Sequence, residues 1–297
     1  MYMKKVGGKM NGGLLSPCNK FYRRWMRDMS DFGCKTEKVR TKSGLKLLIL
    51  RPKRQAEQLQ PGILWIHGGG YATGMASMVH MSRAKALVKK YGAVVLSPGY
   101  RLAARHPYPA ALEDCYEALT YLAQHADELG FDPKLLMVGG ESAGGGLTAA
   151  LCMYARDRGE IKIAFQMPLY PMLDDRDTDS SRRNFGFSWG TWRNHMAWKL
   201  YLRKTKAKLT PYAVPARQTD YRDLPPAYSF VGDREPFYCE TLTYIQKLQE
   251  AGIEAKVDVY PTGLHAFDML LPFRRVSKQA IAAFEENYLA ACRRLRG

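Results

Sequence analysis

The sequence of 297 residues has no apolar stretch approaching the roughly 18 residues that a membrane-spanning helix needs. Its N-terminus also lacks the apolar core of a secretory signal peptide. The six cysteines are scattered and contain no Cys-x-x-Cys pair. From these absences we expect a cytoplasmic protein without a membrane span, with free thiols, no metal site and no cofactor.

Acidic residues are scarce relative to basic ones, 28 against 45, which gives a formal net charge of +17. The excess is local, because residues 1–60 carry a net charge of +11 and residues 182–208 contain eight basic and no acidic residues. A basic face can steer anionic partners or hold a protein near nucleic acid or acidic lipid, although a solvated face that aids solubility is the simpler interpretation. No helix-turn-helix, zinc-finger or RNA-recognition motif accompanies the charge, so we expect no specific nucleic-acid partner.

Short apolar runs follow one another along the chain, and each is typical of a strand buried on both faces of a parallel sheet. They occupy residues 63–66, 93–96, 135–138, 163–170, 227–231 and 255–260. Stretches with helical spacing lie between or after these runs, at residues 110–129, 147–155, 241–251 and 277–295. An antiparallel hairpin is predicted before them, from residues 37–41 and 45–51 around a glycine turn. The sequence therefore predicts an α/β fold with a mostly parallel sheet and an antiparallel start.

Two stretches fit this alternation poorly, residues 1–35 and about 176–215. Both contain aromatic residues among basic ones, and such aromatics form either core or the apolar underside of a lid over a pocket. The chain has no internal repeat and no low-complexity linker. We therefore expect a single domain over residues 1–297, with a small cap built from these two stretches.

The sequence Gly-Glu-Ser-Ala-Gly occupies residues 140–144, directly after the predicted strand 135–138 and at the start of a predicted helix. A serine on such a tight turn needs strained backbone angles, and only residues without bulk fit two positions before and after it. The turn exposes the Ser142 hydroxyl above the sheet edge, where the helix N-terminus supplies N–H groups. Ser142 is therefore a candidate nucleophile; the alternative is a glycine-rich helix start that packs tightly on the sheet.

A second glycine motif, His67-Gly68-Gly69-Gly70, follows the predicted strand 63–66. Its glycines leave backbone N–H groups free to point into a cavity. Serine-based acyl transfer needs such donors where the carbonyl oxygen becomes an oxyanion, and each lowers the barrier by roughly 3–4 kcal/mol. A flexible loop or a phosphate nest also uses glycines. Nucleotide binding is not expected, because no Gly-Lys-Ser/Thr follows and the spacing is not Gly-x-Gly-x-x-Gly.

A nucleophilic serine needs a base, and the chain has six histidines. His265 follows the last predicted strand, in a loop that can bring its imidazole back over the sheet edge. Asp233 and Glu235 follow the strand predicted at 227–231, and either carboxylate can orient the imidazole. The order serine, acid, histidine along the chain also favours His265. The residues alone leave the choice between the two acids open.

Together these motifs resemble the hormone-sensitive-lipase-like branch of the α/β-hydrolases. Residues 100–103 (Tyr-Arg-Leu-Ala) and 106–114 are similar to that family's segment between the two glycine motifs, and the resemblance covers most of the chain from about residue 60 onward. It implies an α/β-hydrolase fold with a twisted sheet of about eight strands and helices on both faces. It also implies a small helical cap from the N-terminal segment plus an insertion after the sixth strand.

By this resemblance Ser142 is the nucleophile and His265 the general base and acid. The N–H groups of Gly69, Gly70 and Ala143 would form the oxyanion hole.

His67 and Gly68 would complete the oxyanion loop by the same resemblance. The family's acid opens an Asp-Pro-Leu string, and in register this sequence reads Glu235-Pro236-Phe237. We therefore favour Glu235 as the acid, with Asp233 as the alternative.

The expected activity is that of a serine carboxylesterase, which hydrolyses short-chain, acetyl-like esters through an acyl-enzyme intermediate. Its partner would be a small ester, and a homodimer is an open alternative to a monomer. The other class of function is a non-catalytic small-molecule binder on the same scaffold. The resemblance includes plant hormone receptors of that kind, which have lost the working histidine, whereas His265 stands at the matching place here.

Overall fold

The computed structural model describes residues 33–54, 57–205 and 209–297. Most of the N-terminal stretch expected to join the cap, residues 1–32, therefore lies outside the described residues. The described chain contains one eight-stranded sheet in the order β1-β2-β4-β3-β5-β6-β7-β8. Its strands are β1 (Cys34–Arg40), β2 (Lys46–Pro52), β3 (Gln60–Ile66), β4 (Val94–Pro98), β5 (Phe131–Glu141), β6 (Phe165–Leu169), β7 (Ala227–Gly232) and β8 (Ala255–Tyr260).

The sheet is mostly parallel, as predicted. β1 pairs with β2 in an antiparallel hairpin whose last register pair is Arg40 with Lys46, and β2 pairs antiparallel with β4. From β4 through β3, β5, β6 and β7 to β8 every pairing is parallel. The carboxyl ends of six strands therefore lie along one edge of the sheet.

Helices cover both faces of the sheet, which confirms the expected α/β class. They are α1 (Arg83–Tyr91), α2 (Ala110–Gln124), α3 (Ala126–Leu129), α4 (Ala143–Arg158), α5 (Thr191–Leu202), α6 (Tyr238–Glu250), α7 (Phe267–Leu270) and α8 (Arg275–Arg296). Apolar residues of α2, α4 and α6 belong to one core cluster, and those of α1 and α8 belong to the other.

The core lies in these two layers because successive side chains of a strand point to opposite faces. In β3, Leu64 and Ile66 pack with α2 and α4, whereas Ile63 and Trp65 pack with α1 and α8. All four side chains are fully buried. An uninterrupted apolar run therefore serves both layers, as the sequence predicted.

The prediction of burial on both faces is wrong for β8. Lys256 and Val259 are exposed in this strand, because β8 is the edge of the sheet and has a neighbour on one side only. The helical stretch predicted over residues 110–129 is two helices, separated at His125.

The cysteines of the described chain are free, at Cys34, Cys115, Cys152, Cys239 and Cys292, while Cys18 lies outside the described residues. Cys115 and Cys152 are fully buried in α2 and α4, where a thiol packs like a small apolar side chain. Across residues 33–54, 57–205 and 209–297 no helix is both long and apolar enough to cross a bilayer.

Candidate active site

The candidate residues meet at the carboxyl edge of the parallel strands. Ser142 follows the last residue of β5, Glu235 follows β7 by three residues, and His265 follows β8 by five. Because β5, β6, β7 and β8 are parallel neighbours, the loops after them lie on the same side of the molecule. This edge is the usual position of ligand sites in open α/β sheets.

Ser142 lies on a sharp turn between β5 and α4. Its backbone has φ +57° and ψ −121°, a conformation that non-glycine residues seldom adopt. The turn is fixed by hydrogen bonds, since Ser142 N–H donates to Leu169 O at 3.0 Å and Ser142 O accepts from Gly146 N–H at 2.9 Å. The strained residue therefore presents its hydroxyl at the sheet edge.

The glycines on either side of Ser142 are required by the approach of β3. A Cβ atom at Gly144 would lie 2.0 Å from the carbonyl oxygen of Ile66, and one at Gly140 would lie 2.5 Å from the same oxygen. Both distances are shorter than any van der Waals contact, so a side chain at either position would push the turn away from β3.

A chain of hydrogen bonds joins Ser142, His265 and Glu235. The Nε2 atom of His265 lies 2.9 Å from Ser142 Oγ, and its Nδ1 atom is hydrogen-bonded to Glu235 Oε2. The other carboxylate oxygen, Oε1, accepts from Gly232 N–H at 2.9 Å. Glu235 is fully buried, and Ser142 and His265 are only 7% and 5% exposed. The imidazole is therefore oriented by a carboxylate whose own position is fixed.

Asp233, the alternative acid, lies elsewhere. Its side chain is 40% exposed and pairs with Arg234 Nε at 3.2 Å. The structure thus brings Glu235, and not Asp233, to His265.

The glycine loop after β3 lies beside the serine turn. A Cβ at Gly68 would lie 3.2 Å from the Cβ of Ser142, and Gly69 and Gly70 adopt φ values of +117° and +59°. Within the described part of the chain, the N–H groups of Gly69, Gly70 and Ala143 donate no hydrogen bond. They are therefore available to a negatively charged oxygen beside Ser142.

His67 helps to hold this loop in place. Its Nδ1 atom lies 2.8 Å from Gly68 O, and its ring stacks on Tyr100 with centroids 4.2 Å apart. Tyr100 also donates its hydroxyl hydrogen to His67 O at 3.0 Å. Burial lowers the pKa of His67 to about 4, so this imidazole is neutral at pH 7. His67 therefore holds the loop by packing and hydrogen bonding, without a charge.

Aromatic side chains surround the imidazole of His265. The ring centroids of Phe237, Tyr170 and Trp189 lie 4.9, 5.1 and 6.4 Å from that of His265. Trp189 comes from the expected cap stretch, and Ser188 Oγ donates to His265 O at 2.9 Å. Of these three aromatics, the sequence had pointed only to Trp189, through the aromatic residues of that stretch.

Sequence reasoning missed two buried carboxyl groups beside the serine turn and the histidine loop. Glu141 is 4% exposed and accepts a hydrogen bond from Trp65 Nε1 at 2.8 Å. Burial raises the pKa of Glu141 to about 8, and the nearby Asp268 carboxylate adds to the rise. The only signal in the sequence is the position of Glu141 inside the serine motif. This signal is weak, because the motif does not specify the residue before the serine.

Asp268 is the second of these two buried carboxyl groups. It accepts from Tyr170 Oη at 2.8 Å, and its Oδ2 atom lies 3.0 Å from Arg83 Nε. Burial raises the pKa of Asp268 although the Arg83 guanidinium opposes the rise. The ion pair connects α1 to α7, the helix that follows His265, so it supports the histidine loop.

In residues 33–54, 57–205 and 209–297 no three His, Cys, Asp or Glu side chains are grouped so as to hold a metal ion.

The comparisons with known proteins agree on one family. A family model described as the alpha/beta hydrolase fold matches residues 63–269. Carboxylesterase NlhH of Mycobacterium tuberculosis is 31% identical over 212 residues, which are 70% of this chain and 66% of that protein. An acetyl esterase of Salmonella paratyphi A is 28% identical over 256 residues, 82% of this chain and 76% of that protein.

A solved structure is also similar. Esterase LipW from Mycobacterium marinum superposes with a TM-score of 0.84 at 30% sequence identity, over 93% of this chain and 88% of that one. The sequence match to NlhH is shorter, and it spans just under two thirds of the length of that relative.

Proposed function

Because this chain belongs to the α/β-hydrolase family, in its hormone-sensitive-lipase-like branch, we propose that it is a serine carboxylesterase. The hydrogen-bonded chain from Ser142 through His265 to Glu235 carries this proposal, since it has the geometry of an activated serine nucleophile. The relatives named carboxylesterase and acetyl esterase support the same class of substrate.

In the acylation step, Ser142 Oγ attacks the ester carbonyl carbon while His265 Nε2, 2.9 Å away, takes the hydroxyl proton. The carbonyl oxygen becomes negatively charged and accepts hydrogen bonds from the N–H groups of Gly69, Gly70 and Ala143. The Glu235 carboxylate stabilises the imidazolium that forms. His265 then returns the proton to the departing alcohol, which leaves an acyl group on Ser142.

In the deacylation step, water attacks the acyl carbon and His265 takes the proton of that water. The same three amides stabilise the second oxyanion. The carboxylic acid leaves, and the proton on His265 returns to Ser142 Oγ. No group beyond the side chains and amides of the site and one water molecule is needed in either step.

We further propose that the acyl group is short, and the position of Trp189 supports this. A Cβ at Gly70 would lie 2.3 Å from Cη2 of Trp189, so the indole rests on the glycine loop. The same indole lies 6.4 Å from the His265 ring. An acyl chain bound at Ser142 therefore meets a bulky wall close to the carbonyl carbon. The acetyl esterase among the relatives fits a substrate of this size.

Residues 176–215 serve as a cap in this proposal, because they supply Trp189 to the site. The other expected part of the cap is residues 1–35, of which residues 1–32 lie outside the described residues and Cys34 and Lys35 belong to β1 and not to a cap. The free cysteines of the described chain support a reducing, cytoplasmic location.

The test is hydrolysis of p-nitrophenyl acetate by the protein and by its Ser142→Ala variant. We expect kcat/KM to fall at least about a thousandfold, because the nucleophile is lost. Ser43→Ala, at an exposed turn residue of the β1–β2 hairpin, is the matched control and should retain the parent rate. An unchanged rate in Ser142→Ala would remove Ser142 from the reaction.

A fluorophosphonate probe separates the enzyme from a non-catalytic binder on the same scaffold. An activated serine reacts with one equivalent of the probe, whereas an unactivated hydroxyl does not react readily. We expect labelling at Ser142 and none in Ser142→Ala. A parent protein that binds small esters but takes up no label would be a binder.

A further inference from the structure

The outer surface of the cap stretch carries exposed apolar side chains. Phe185 and Phe187 are 94% and 91% exposed, Trp192 is 73% exposed and Met196 is 40% exposed. We refer to these four residues as the aromatic tip. Single exposed apolar residues are common on proteins, but four within twelve residues form a patch of the kind that marks an interaction site.

The loop that bears the two phenylalanines is held by hydrogen bonds. Asn184 N–H donates to Thr191 Oγ1 at 2.8 Å, and Gly186 N–H donates to Asn184 Oδ1 at 2.9 Å. Arg193 Nη1 donates to Phe187 O at 2.6 Å and so joins the loop to the first turn of α5. The phenylalanine side chains are therefore displayed from a fixed backbone.

Along one side of helix α5, two residues of the aromatic tip are followed by two basic residues. Trp192, Met196, Lys199 and Arg203 are spaced four, three and four residues apart, and all four are exposed. This spacing places them on one side of the helix. The opposite side, with Ala197, Trp198 and Tyr201, is buried against the core.

Basic residues lie before, among and after the residues of the aromatic tip along the chain. The exposed ones are Arg182, Arg183, Arg193, Lys199, Arg203 and Lys204, and residues 182–208 contain no acidic residue. We refer to these six residues as the basic rim. Arg182 is partly neutralised by Asp179 at 3.3 Å, yet its side chain remains 58% exposed. Asp177 pairs with His195 of α5 at 2.7 Å, yet basic residues still outnumber acidic ones around this stretch. The surface therefore suits an occupant that is both apolar and anionic.

We propose that the aromatic tip and the basic rim dock this protein on the surface of an anionic lipid bilayer. Aromatic side chains favour the boundary between headgroups and acyl chains, and lysine and arginine beside them bind anionic headgroups. Residues 1–32 carry seven basic and two acidic residues, so their net charge has the same sign as that of the rim. The described helices do not span a bilayer, so docking is peripheral.

The docking surface is continuous with the candidate active site. Phe187 is followed by Ser188, which donates to the carbonyl of His265, and by Trp189, which lies against the glycine loop. In this short segment, the outward side chain thus faces the bilayer, and the inward side chains face the reacting groups. Docking itself does not depend on the proposed esterase activity.

The test is co-sedimentation of the full chain with vesicles of phosphatidylcholine, alone or with about 30 mol% phosphatidylglycerol, at about 0.15 M salt. We expect binding to the anionic vesicles only. The triple variant Phe185→Ser, Phe187→Ser and Trp192→Ser should bind them at least about tenfold more weakly. Arg182→Gln, Arg183→Gln and Lys199→Gln together should also weaken binding about tenfold and flatten its salt dependence.

The control for charge alone is the triple variant Lys134→Gln, Lys162→Gln and Lys278→Gln, which removes three exposed lysines outside the cap stretch. It should bind anionic vesicles within about twofold of the parent. Hydrolysis of a soluble ester and the melting temperature, measured on the same preparations, should be unchanged in all three variants. If the parent protein binds vesicles but does not hydrolyse the ester, the esterase proposal is contradicted and the docking proposal is not.

Several results would overturn the docking proposal. One is a parent protein that does not sediment with anionic vesicles. Another is a loss of binding in the lysine control as large as that in the basic-rim variant. Such a result would show that net positive charge attracts the vesicles and that the basic rim is not a distinct binding surface. Binding to a single-stranded oligonucleotide but not to vesicles would assign the surface to nucleic acid. A parent dimer that does not bind vesicles and dissociates on substitution of the aromatic tip would assign it to a second copy.

Discussion

Two carboxylates, Asp233 and Glu235, lie in the turn that follows β7, and Glu235 is the one hydrogen-bonded to His265 Nδ1. Sequence reasoning found both carboxylates and favoured Glu235 from its register with a family motif. The structure buries Glu235 completely, anchors it on Gly232 N–H and leaves Asp233 exposed beside Arg234. Burial decides which carboxylate faces the imidazole, and it depends on how this turn packs against the histidine loop and against Ser180 and Asn184, which donate hydrogen bonds to its carbonyl groups.

We predict that Glu235→Gln lowers kcat for p-nitrophenyl acetate by about a thousandfold or more. The amide keeps the shape of the side chain but cannot stabilise the imidazolium, and it can favour the wrong tautomer of His265. Asp233→Asn should change kcat by less than about threefold, because Asp233 does not contact His265. Both variants are compared under the same conditions by steady-state kinetics.

Glu235→Asp provides the graded control. It retains the charge but shortens the reach to His265 Nδ1, so its kcat should lie between those of the parent and Glu235→Gln. A larger loss in Asp233→Asn than in Glu235→Gln would reverse the assignment of the acid.

Local sequence patterns were enough to find Ser142 and His265, and the structure brings these two side chains within hydrogen-bonding distance. The partners of Glu141 and Asp268 could not be found in this way. Trp65 lies 76 residues before Glu141, and Arg83 lies 185 residues before Asp268. Such pairs are created by strand order and helix packing, which a local pattern does not encode.

At the scale of secondary structure, the interior strands were predictable because apolar runs of four to eight residues bury both of their faces. Helix α1 was not anticipated, and α5 was expected only as part of the helical cap that the resemblance implies. Helix α1 is only nine residues long and contains four basic residues around its buried Ala84, Leu87 and Val88. Helix α5 buries Trp198 and Tyr201 but exposes Trp192 and Met196, so its apolar residues do not mark a single face.

Trp189, just before α5, gives the cap a predicted effect on acyl-chain length. We predict that Trp189→Ala raises the ratio of kcat/KM for p-nitrophenyl octanoate to that for p-nitrophenyl acetate by at least about tenfold. Removal of the indole opens space beside Gly70 and His265, where a longer chain can lie. The ratio is measured from initial rates below the solubility limit of the longer ester.

Trp192→Ala is the matched control, since it removes an indole three residues away whose side chain is mostly exposed. It should leave the ratio for soluble esters unchanged. A folded Trp189→Ala protein with the parent ratio would show that another wall limits the acyl group.

At the scale of the whole molecule, the net charge is +17, yet two acidic groups are buried beside the candidate site. Glu141 and Asp268 lie in the interior with Trp65, Tyr170 and Arg83 as partners. Buried carboxyl groups make the stability of the fold depend on pH, because burial favours their uncharged form.

Glu141 gives this dependence a definite sign. In the unfolded chain its carboxyl ionises at its ordinary pKa of 4.5, whereas in the folded protein the pKa is about 8. Between these values the folded protein holds one proton more, so this group lowers the stability as the pH rises. Glu141→Gln removes the titration while its amide oxygen can still accept from Trp65 Nε1.

We therefore predict that Glu141→Gln is more stable relative to the parent at pH 8 than at pH 5. The difference in the free energy of unfolding should grow by up to about 1.4 kcal/mol for each pH unit in that window and then level off. Urea unfolding of both proteins at several pH values measures it. Glu286→Gln, which changes an exposed glutamate on α8, is the control variant measured beside it. A stability difference for Glu141→Gln that stays constant or shrinks as the pH rises would mean that Glu141 is already ionised in the folded protein at pH 5.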